Sequence, residues 1–250
     1  MWGALDAHCA GGAGRILGQM PGYETKTESI VVTGADNLQI RSLLDRQQFS
    51  DPLDAALRMG ISSAAWPLFG LPWPSGNQLA QRMAVRTLTA GERILELGCG
   101  LGLPSLVAHR RGSEVTASDC HPLAGAFLRE NLRLNGLPPL KYRHGHWNPS
   151  VAPRTETEIA AVPAVQGLFD LIIGSDLLYE RDEPGDLAAF IGAHSAPHAE
   201  VWIVDPDRGN RPAFNRRMAE QGFLRREERL DIPATTIAGA YKGRVLIYRS

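Results

Sequence analysis

The stretch Glu96-Leu97-Gly98-Cys99-Gly100-Leu101-Gly102 sets a carboxylate ahead of a glycine at every second position. Glycines so spaced leave the main chain bare, so its N–H groups can approach a ligand where a side chain would intrude. A dinucleotide fold asks for G-x-G-x-x-G, the last glycine packing helix on strand over a pyrophosphate. Leu103 stands in that third place, so the loop offers close approach without an evident phosphate seat. On its own it also reads as a tight turn between strand and helix. The next apolar run, Glu114 to Asp119, ends in a carboxylate. An acid there accepts hydrogen bonds from both hydroxyls of a ribose, each charge-assisted bond worth about 1.5–3 kcal/mol. The other reading of Asp119 is a cap for the helix ahead of Pro122. Loop and acid together favour a nucleoside. A third constellation lies in FDLIIGSDLLYE, where Asp176, Tyr179 and Glu180 follow a central apolar run. Doubly wound sheets place their chemistry at that end of a strand.

These residues need a scaffold that brings three strand ends together. From Arg93 on, five short apolar runs, RILELG, EVTASD, LKYRHG, FDLIIGSD and EVWIVD, alternate with amphipathic stretches. That alternation predicts a parallel sheet with helices on both faces. Between the second and third runs Pro122 suits a first helical turn, and Leu123, Phe127, Leu128 and Leu132 share one face before Asn135-Gly136 stops the helix. Pro149, Pro153 and Pro163 predict a short or absent crossover helix between the third and fourth. FLRREERLDI and GRVLIYR leave no room for a helix between them and suit an antiparallel pair closing the sheet. Upstream, SIVVTG and LQIRSL flank Gly34 to Asn37 as a hairpin, and a helix is expected from about Asn77 to Thr87. The organisation expected is a mobile tail over 1–22, an extension over 23–76 and a catalytic domain over 77–250.

Composition narrows the function classes. The chain has 250 residues, 44% hydrophobic and 21% charged, with a formal net charge of −1. Such a balance supplies no field to gather nucleic acid or anionic membrane, and the arginines between Arg208 and Arg229 are interleaved with Glu220, Glu227 and Glu228. Neither partner is expected. Cys9, Cys99 and Cys120 are the only cysteines and show no metal-type spacing. A reducing, cytoplasmic setting is therefore expected. His144 and His146, and likewise His194 and His198, lack a third ligand, so no metal is expected.

ILELGCGLG, VTASD and NLRLNG, in that order, resemble the class I, seven-β-strand S-adenosylmethionine-dependent methyltransferases. The resemblance runs from about Trp66 to Tyr248. It implies a Rossmann-like, doubly wound, mostly parallel seven-stranded α/β sheet with an antiparallel C-terminal strand, to which the hairpin is added. It also implies S-adenosylmethionine as cofactor, with Glu96, Gly98, Gly100 and Gly102 forming its loop and Asp119 holding the ribose. Trp147 falls where the family contacts adenine, and a core tryptophan is the competing reading. Asp176-Leu177-Leu178-Tyr179 is similar to the D-x-x-Y motif of the lysine-methylating subset often grouped as family 16, and lacks the prolines of enzymes that methylate nucleic-acid amines.

WPSGNQLA, IVDPDRG and LDIPATT look like segments of the bacterial relatives of the electron-transfer-flavoprotein β-subunit lysine methyltransferases. Asp207 departs from a glycine and Ala234 from a V-P-T segment, and the hairpin has no counterpart placed there. The implied activity is methyl transfer to a side-chain nitrogen of a protein, lysine first. Asp176, also counted with the cofactor residues, would orient the amine with help from Glu180, and the Tyr179 hydroxyl would be a second acceptor. Trp66, Phe69 and Trp73 either wall the substrate entrance or pin the extension, and Trp73 is grouped with the cofactor contacts. A small-molecule N- or O-methyltransferase and a catalytically silent cofactor-binding module are the alternatives. A nicotinamide oxidoreductase ranks last, because the loop lacks the third glycine.

Overall fold

The computed structural model describes residues 22–147, 162–179, 181–182, 184–235 and 239–250. The expectations for a tail over 1–22 and for the 148–161 crossover therefore lie almost wholly outside the described residues. So does Glu180.

Seven strands form one sheet: β3 (Arg93–Leu97), β4 (Glu114–Asp119), β5 (Lys141–His144), β6 (Phe169–Ser175), β7 (Ser195–Asp205), β8 (Leu224–Ile232) and β9 (Tyr241–Arg249). Their order is β5-β4-β3-β6-β7-β9-β8. The pairs β4–β5, β3–β4, β3–β6 and β6–β7 are parallel, whereas β9 runs antiparallel to both β7 and β8. Strand order reverses between the parallel neighbours β3 and β6, and the crevice outside the carboxyl ends of such a pair is where open sheets bind ligands. Leu97 and Ser175 end those strands.

Buried strands explain the near-continuous apolar runs, because each face is covered by helices. Ile94, Leu171 and Ile173 turn to one side, packing with Leu79 and Met83 of α2 (Pro74–Val85), Leu106 of α3 (Leu103–Arg110) and Phe127 of α4 (Ala124–Leu134). Leu95, Leu97 and Ile172 turn to the other, against Leu187 and Ile191 of α5 (Asp186–His194) and Phe214 and Met218 of α6 (Arg211–Glu220). One remaining helix, α1 (Ala55–Arg58), is a single turn in the N-terminal extension.

The hairpin is present as β1 (Thr25–Ile30) and β2 (Leu38–Leu43), paired Thr25 to Leu43 and Ile30 to Leu38. Its free edge is not left to solvent: Arg41 N–H donates to Asn131 Oδ1 at 2.8 Å, and Gln39 N–H to Asn135 Oδ1 at 2.9 Å. Side-chain amides of α4 thus serve as the missing strand. Asn131 Nδ2 also donates to Leu101 O at 3.2 Å, tying hairpin, helix and glycine loop to one residue.

Four boundaries differ from the sequence expectation. The first hairpin strand overlaps SIVVTG only at Ser29 and Ile30, because the chain already turns at Val32, whose carbonyl accepts Ala35 N–H at 3.1 Å. The second helix begins at Pro74 rather than Asn77, since proline at the first helical position costs no hydrogen bond. Pro122 lies in the turn before α4 rather than in its first turn, because Ala124 N–H still bonds back to His121 O. The fifth core strand starts at Ser195, directly after α5, and not at Glu200.

Candidate active site

The loop after β3 is folded by the glycines that mark it. Gly98, Gly100 and Gly102 have φ of 57°, 51° and 77°, the left-handed region that disfavours other residues. Space excludes side chains as well: a Cβ on Gly98 would meet Leu177 Cδ2 at 2.6 Å, and one on Gly100 would meet the Phe69 carbonyl oxygen at 2.7 Å. Gly102 then caps α3, with Pro104 in the first turn.

Glu96, at the carboxyl half of β3, is 1% exposed. Its Oε2 accepts the N–H of Ser105 at 2.9 Å and the Ser105 hydroxyl, clamping the start of α3 to the strand. Burial pushes its carboxyl up to about 8, against those two hydrogen bonds. Asp119 ends β4 beside the loop: Oδ2 accepts Gly100 N–H and Oδ1 accepts His121 N–H, each at 2.8 Å. Each oxygen keeps a second lone pair, so the carboxylate can shape the loop and still receive hydroxyl donors. Burial raises its pKa, and the backbone donors oppose the rise.

His121 was not foreseen. It stacks on Phe69 at 3.7 Å between ring centroids, and Nδ1 lies 3.1 Å from the Leu123 N–H. That bond assigns the proton to Nε2, which is enclosed without a partner among the described residues. Burial drives its pKa down to about 3, so the ring is neutral at any working pH.

Across the crevice, the chain leaves β6 at Asp176, whose φ of 55° suits an aspartate better than most residues. Its N–H bonds to Val204 O at 3.0 Å, fixing the turn against the end of β7. The following 3₁₀ turn, Leu177–Tyr179, is held by Asn210 Nδ2 donating to Leu178 O at 3.0 Å. Tyr179 is 44% exposed. Asp176 is not alone: Arg208 Nη2 donates to its Oδ1 at 2.7 Å. Arg208 stands in the DPDRG turn, but its pairing with Asp176, 32 residues earlier, has no local signal in the sequence.

One cleft of about 1000 Å³ joins these groups, its lining including Gly98, Asp119, Trp147, Asp176, Tyr179 and Arg208. Glu96, Gly100, His121, Phe69 and Trp73 also reach it. Trp147 is half-buried, with Cη2 3.9 Å from where a Cβ on Gly98 would stand, so it flanks the loop. Gly102 is the loop residue not on the lining; a Cβ there would press on Leu128 Cδ1 at 2.5 Å, which makes its constraint one of packing.

The aromatic trio divides. Trp66 is 1% exposed and packs against Tyr23, Phe49, Phe69 and His121, so it pins the extension and does not wall an entrance. Trp73 donates Nε1–H to Leu68 O at 2.7 Å and carries the Arg46 guanidinium 4.8 Å above its ring, at the cleft. Among the described residues no histidine, cysteine and carboxylate group has the makings of a metal site.

The cleft suits a sulfonium nucleoside: bare, positive-φ backbone that tolerates no Cβ faces one wall, and a buried carboxylate with spare lone pairs ends the adjoining strand. Comparison with known proteins agrees. The family described as lysine methyltransferase matches residues 73–226. The mouse electron transfer flavoprotein beta subunit lysine methyltransferase is 30% identical over 195 residues, covering 76% of this chain and 69% of its own. The human histone-arginine methyltransferase METTL23 is 30% identical over 135 residues, 52% of this chain and 66% of its own. Among solved structures, a T. thermophilus 16S rRNA methyltransferase in complex with AdoMet and guanosine superposes with a TM-score of 0.53 at 17% identity, covering 90% of this chain and 50% of that one. That last likeness speaks to the fold.

Proposed function

The chain belongs to the lysine methyltransferase family and is an S-adenosylmethionine-dependent methyltransferase, and we propose that the group it methylates is the side-chain amine of lysine in a protein. The observation that carries this reading is a single cleft with the glycine loop and Asp119 on one wall and Asp176 and Tyr179 on the other. Gly98, Gly100, Asp119 and Trp147 would hold the cofactor, with Glu96 and Gly102 keeping the loop in shape. The cofactor supplies a methyl group on a sulfonium, a leaving arrangement that needs no nucleophilic protein side chain.

What remains for the protein is alignment and the state of the amine. A lysine with pKa near 10.4 is neutral in about one molecule in a few thousand at pH 7, equivalent to about 5 kcal/mol. Asp176 can accept an N–H and aim the nitrogen, and the exposed Tyr179 hydroxyl offers a second acceptor at the mouth. The lysine acceptor has further support in the name of the mouse relative. The division into 1–22, 23–76 and 77–250 belongs to this reading; the aromatic packing around Trp66 supports an extension docked on the domain. A cytoplasmic setting belongs to it too, supported by Cys99 and Cys120 standing as thiols outside any disulfide; separately, among the described residues no helix is long and apolar enough to cross a membrane.

Asp176→Asn separates the two walls. Calorimetric affinity for S-adenosylmethionine should stay within about twofold while transfer of labelled methyl to proteins falls at least about tenfold, the scale of one lost positioning interaction of 1.4 kcal/mol. Equal turnover in this variant would assign Asp176 to structure alone.

A further inference from the structure

We propose that Arg208 is a positioning residue for the methyl acceptor: anchored on Asp176, it fixes that carboxylate and keeps a positive charge beside the entering amine, favouring the amine's neutral, reactive form. The inference rests on the reading that Asp176 faces a lysine.

Arg208 is held from two sides. Its backbone N–H donates to Asp205 Oδ1 at 2.8 Å, and its side chain reaches from the end of β7 to Asp176 Oδ1 beyond neighbouring β6 at 2.7 Å. The carboxylate is the more enclosed partner, 12% exposed against 33% for the arginine, so the guanidinium forms part of the cleft wall. The pair is not saturated: Asp176 Oδ2 and Arg208 Nε are both enclosed without partners among the described residues. A matched fork would give each carboxylate oxygen its own N–H, whereas here one N–H meets one oxygen. The observed single contact leaves Asp176 an acceptor to offer an incoming N–H.

Arg181, Arg216 and Arg217 also line the cleft, and among the described residues Arg208 is the cation paired with Asp176. Asp207, next in the turn, is taken by Arg211 and by Arg244 Nε at 2.7 Å, and Arg244 also reaches Glu227 at 3.2 Å. From β7, Asp205 is buried and its pKa is raised by that burial. From β9, Tyr241 is pushed up to about 12 by burial, and its hydroxyl is paired with Ser75 Oγ at 2.9 Å. Tyr179 comes from the turn after β6. An ammonium entering here meets Asp176 and Arg208 together. Removing the guanidinium would leave the carboxylates unopposed and hold the proton on the amine; with it, the proton leaves to bulk water more readily and the nitrogen lone pair is freed.

The test is the ratio of variant to wild-type limiting rates from pH 6.5 to 9.5, with labelled S-adenosylmethionine and one total-protein extract raised until the rate saturates, so that the profile reports the bound amine rather than the free acceptor. Arg208→Gln should shift the acid limb of the rate profile up by about one pH unit, as expected for one charge lost at a few ångströms in a partly hydrated site. Its deficit is then about tenfold at neutral pH and closes towards pH 9.5. Arg208→Lys, which keeps a cation, should keep the wild-type midpoint. Arg208→His, neutral above about pH 7.5, should shift like the glutamine variant and replaces it if that variant does not fold. Cofactor affinity should stay within about twofold throughout. A deficit equal at every pH, or none, overturns the inference while the lysine reading stands. A wild-type enzyme that labels no lysine overturns that reading first.

Discussion

Replacing Glu96 by glutamine should make the protein more stable than wild type as the pH rises, although the glutamate is wholly buried and doubly hydrogen-bonded. The glutamine carbonyl can accept both Ser105 donors that now reach Oε2, so the clamp on α3 survives while the ionisation disappears. In the folded chain the carboxyl titrates at about 8, and its ordinary value is 4.5. Between those values the unfolded chain has lost the proton and the native one retains it. Stability is therefore fully present below about pH 4.5 and declines until about pH 8, at close to 1.36 kcal/mol per unit.

From pH 5 to pH 7.5 the wild type should lose about 3 kcal/mol relative to Glu96→Gln, every other titrating group being common to both. Urea midpoints measured at half-unit steps, with slopes checked for constancy, give that difference directly. A gap that is flat with pH would mean that the native carboxyl ionises normally, and the argument from burial would fail.

The remaining outcomes concern the loop and its acid. Asp119→Asn keeps one acceptor for the Gly100 and His121 donors but removes the charge, so S-adenosylmethionine affinity should fall by about 1.5–3 kcal/mol, roughly 10- to 150-fold by calorimetry; an unchanged Kd removes the ribose assignment. Gly100→Ala must adopt a left-handed backbone costing about 1–2 kcal/mol and place its methyl 2.7 Å from the Phe69 carbonyl. Its melting temperature and cofactor affinity should both drop, and wild-type values for both would show that the loop is not constrained as described.

The sheet was legible because its signals are local and repeated: five apolar runs, a glycine turn after the first and an acid after the second. Alternation of Ile94 and Leu95 between the two faces is the same pattern seen in three dimensions. The hairpin was legible from its second run, LQIRSL, while its first strand lies upstream of most of SIVVTG and its seat was not legible. Nothing near Gln39 or Arg41 announces that Asn131 and Asn135 will complete its edge. Trp66 shows the limit of composition: a tryptophan beside prolines fits an entrance or a pin, and only its partners, Tyr23 and Phe49 from the extension and His121 from the domain, decide for the pin. Arg208 and His121 escaped for a related reason. Each takes its meaning from a contact with a residue distant in the sequence, Asp176 in one case and Phe69 in the other. Pro74 moved a boundary by a few residues because proline can begin a helix as well as interrupt one.

The most direct test of the central claim is to learn which atom receives the methyl group. Wild-type enzyme, S-adenosylmethionine labelled in the methyl, and a total-protein extract would be incubated together, and the labelled protein hydrolysed to amino acids and separated. The label should appear as Nε-methyllysine and, at limiting S-adenosylmethionine, fall in Asp119→Asn in step with its weakened cofactor affinity. Label in methylarginine, or confined to the small-molecule fraction, would contradict the account.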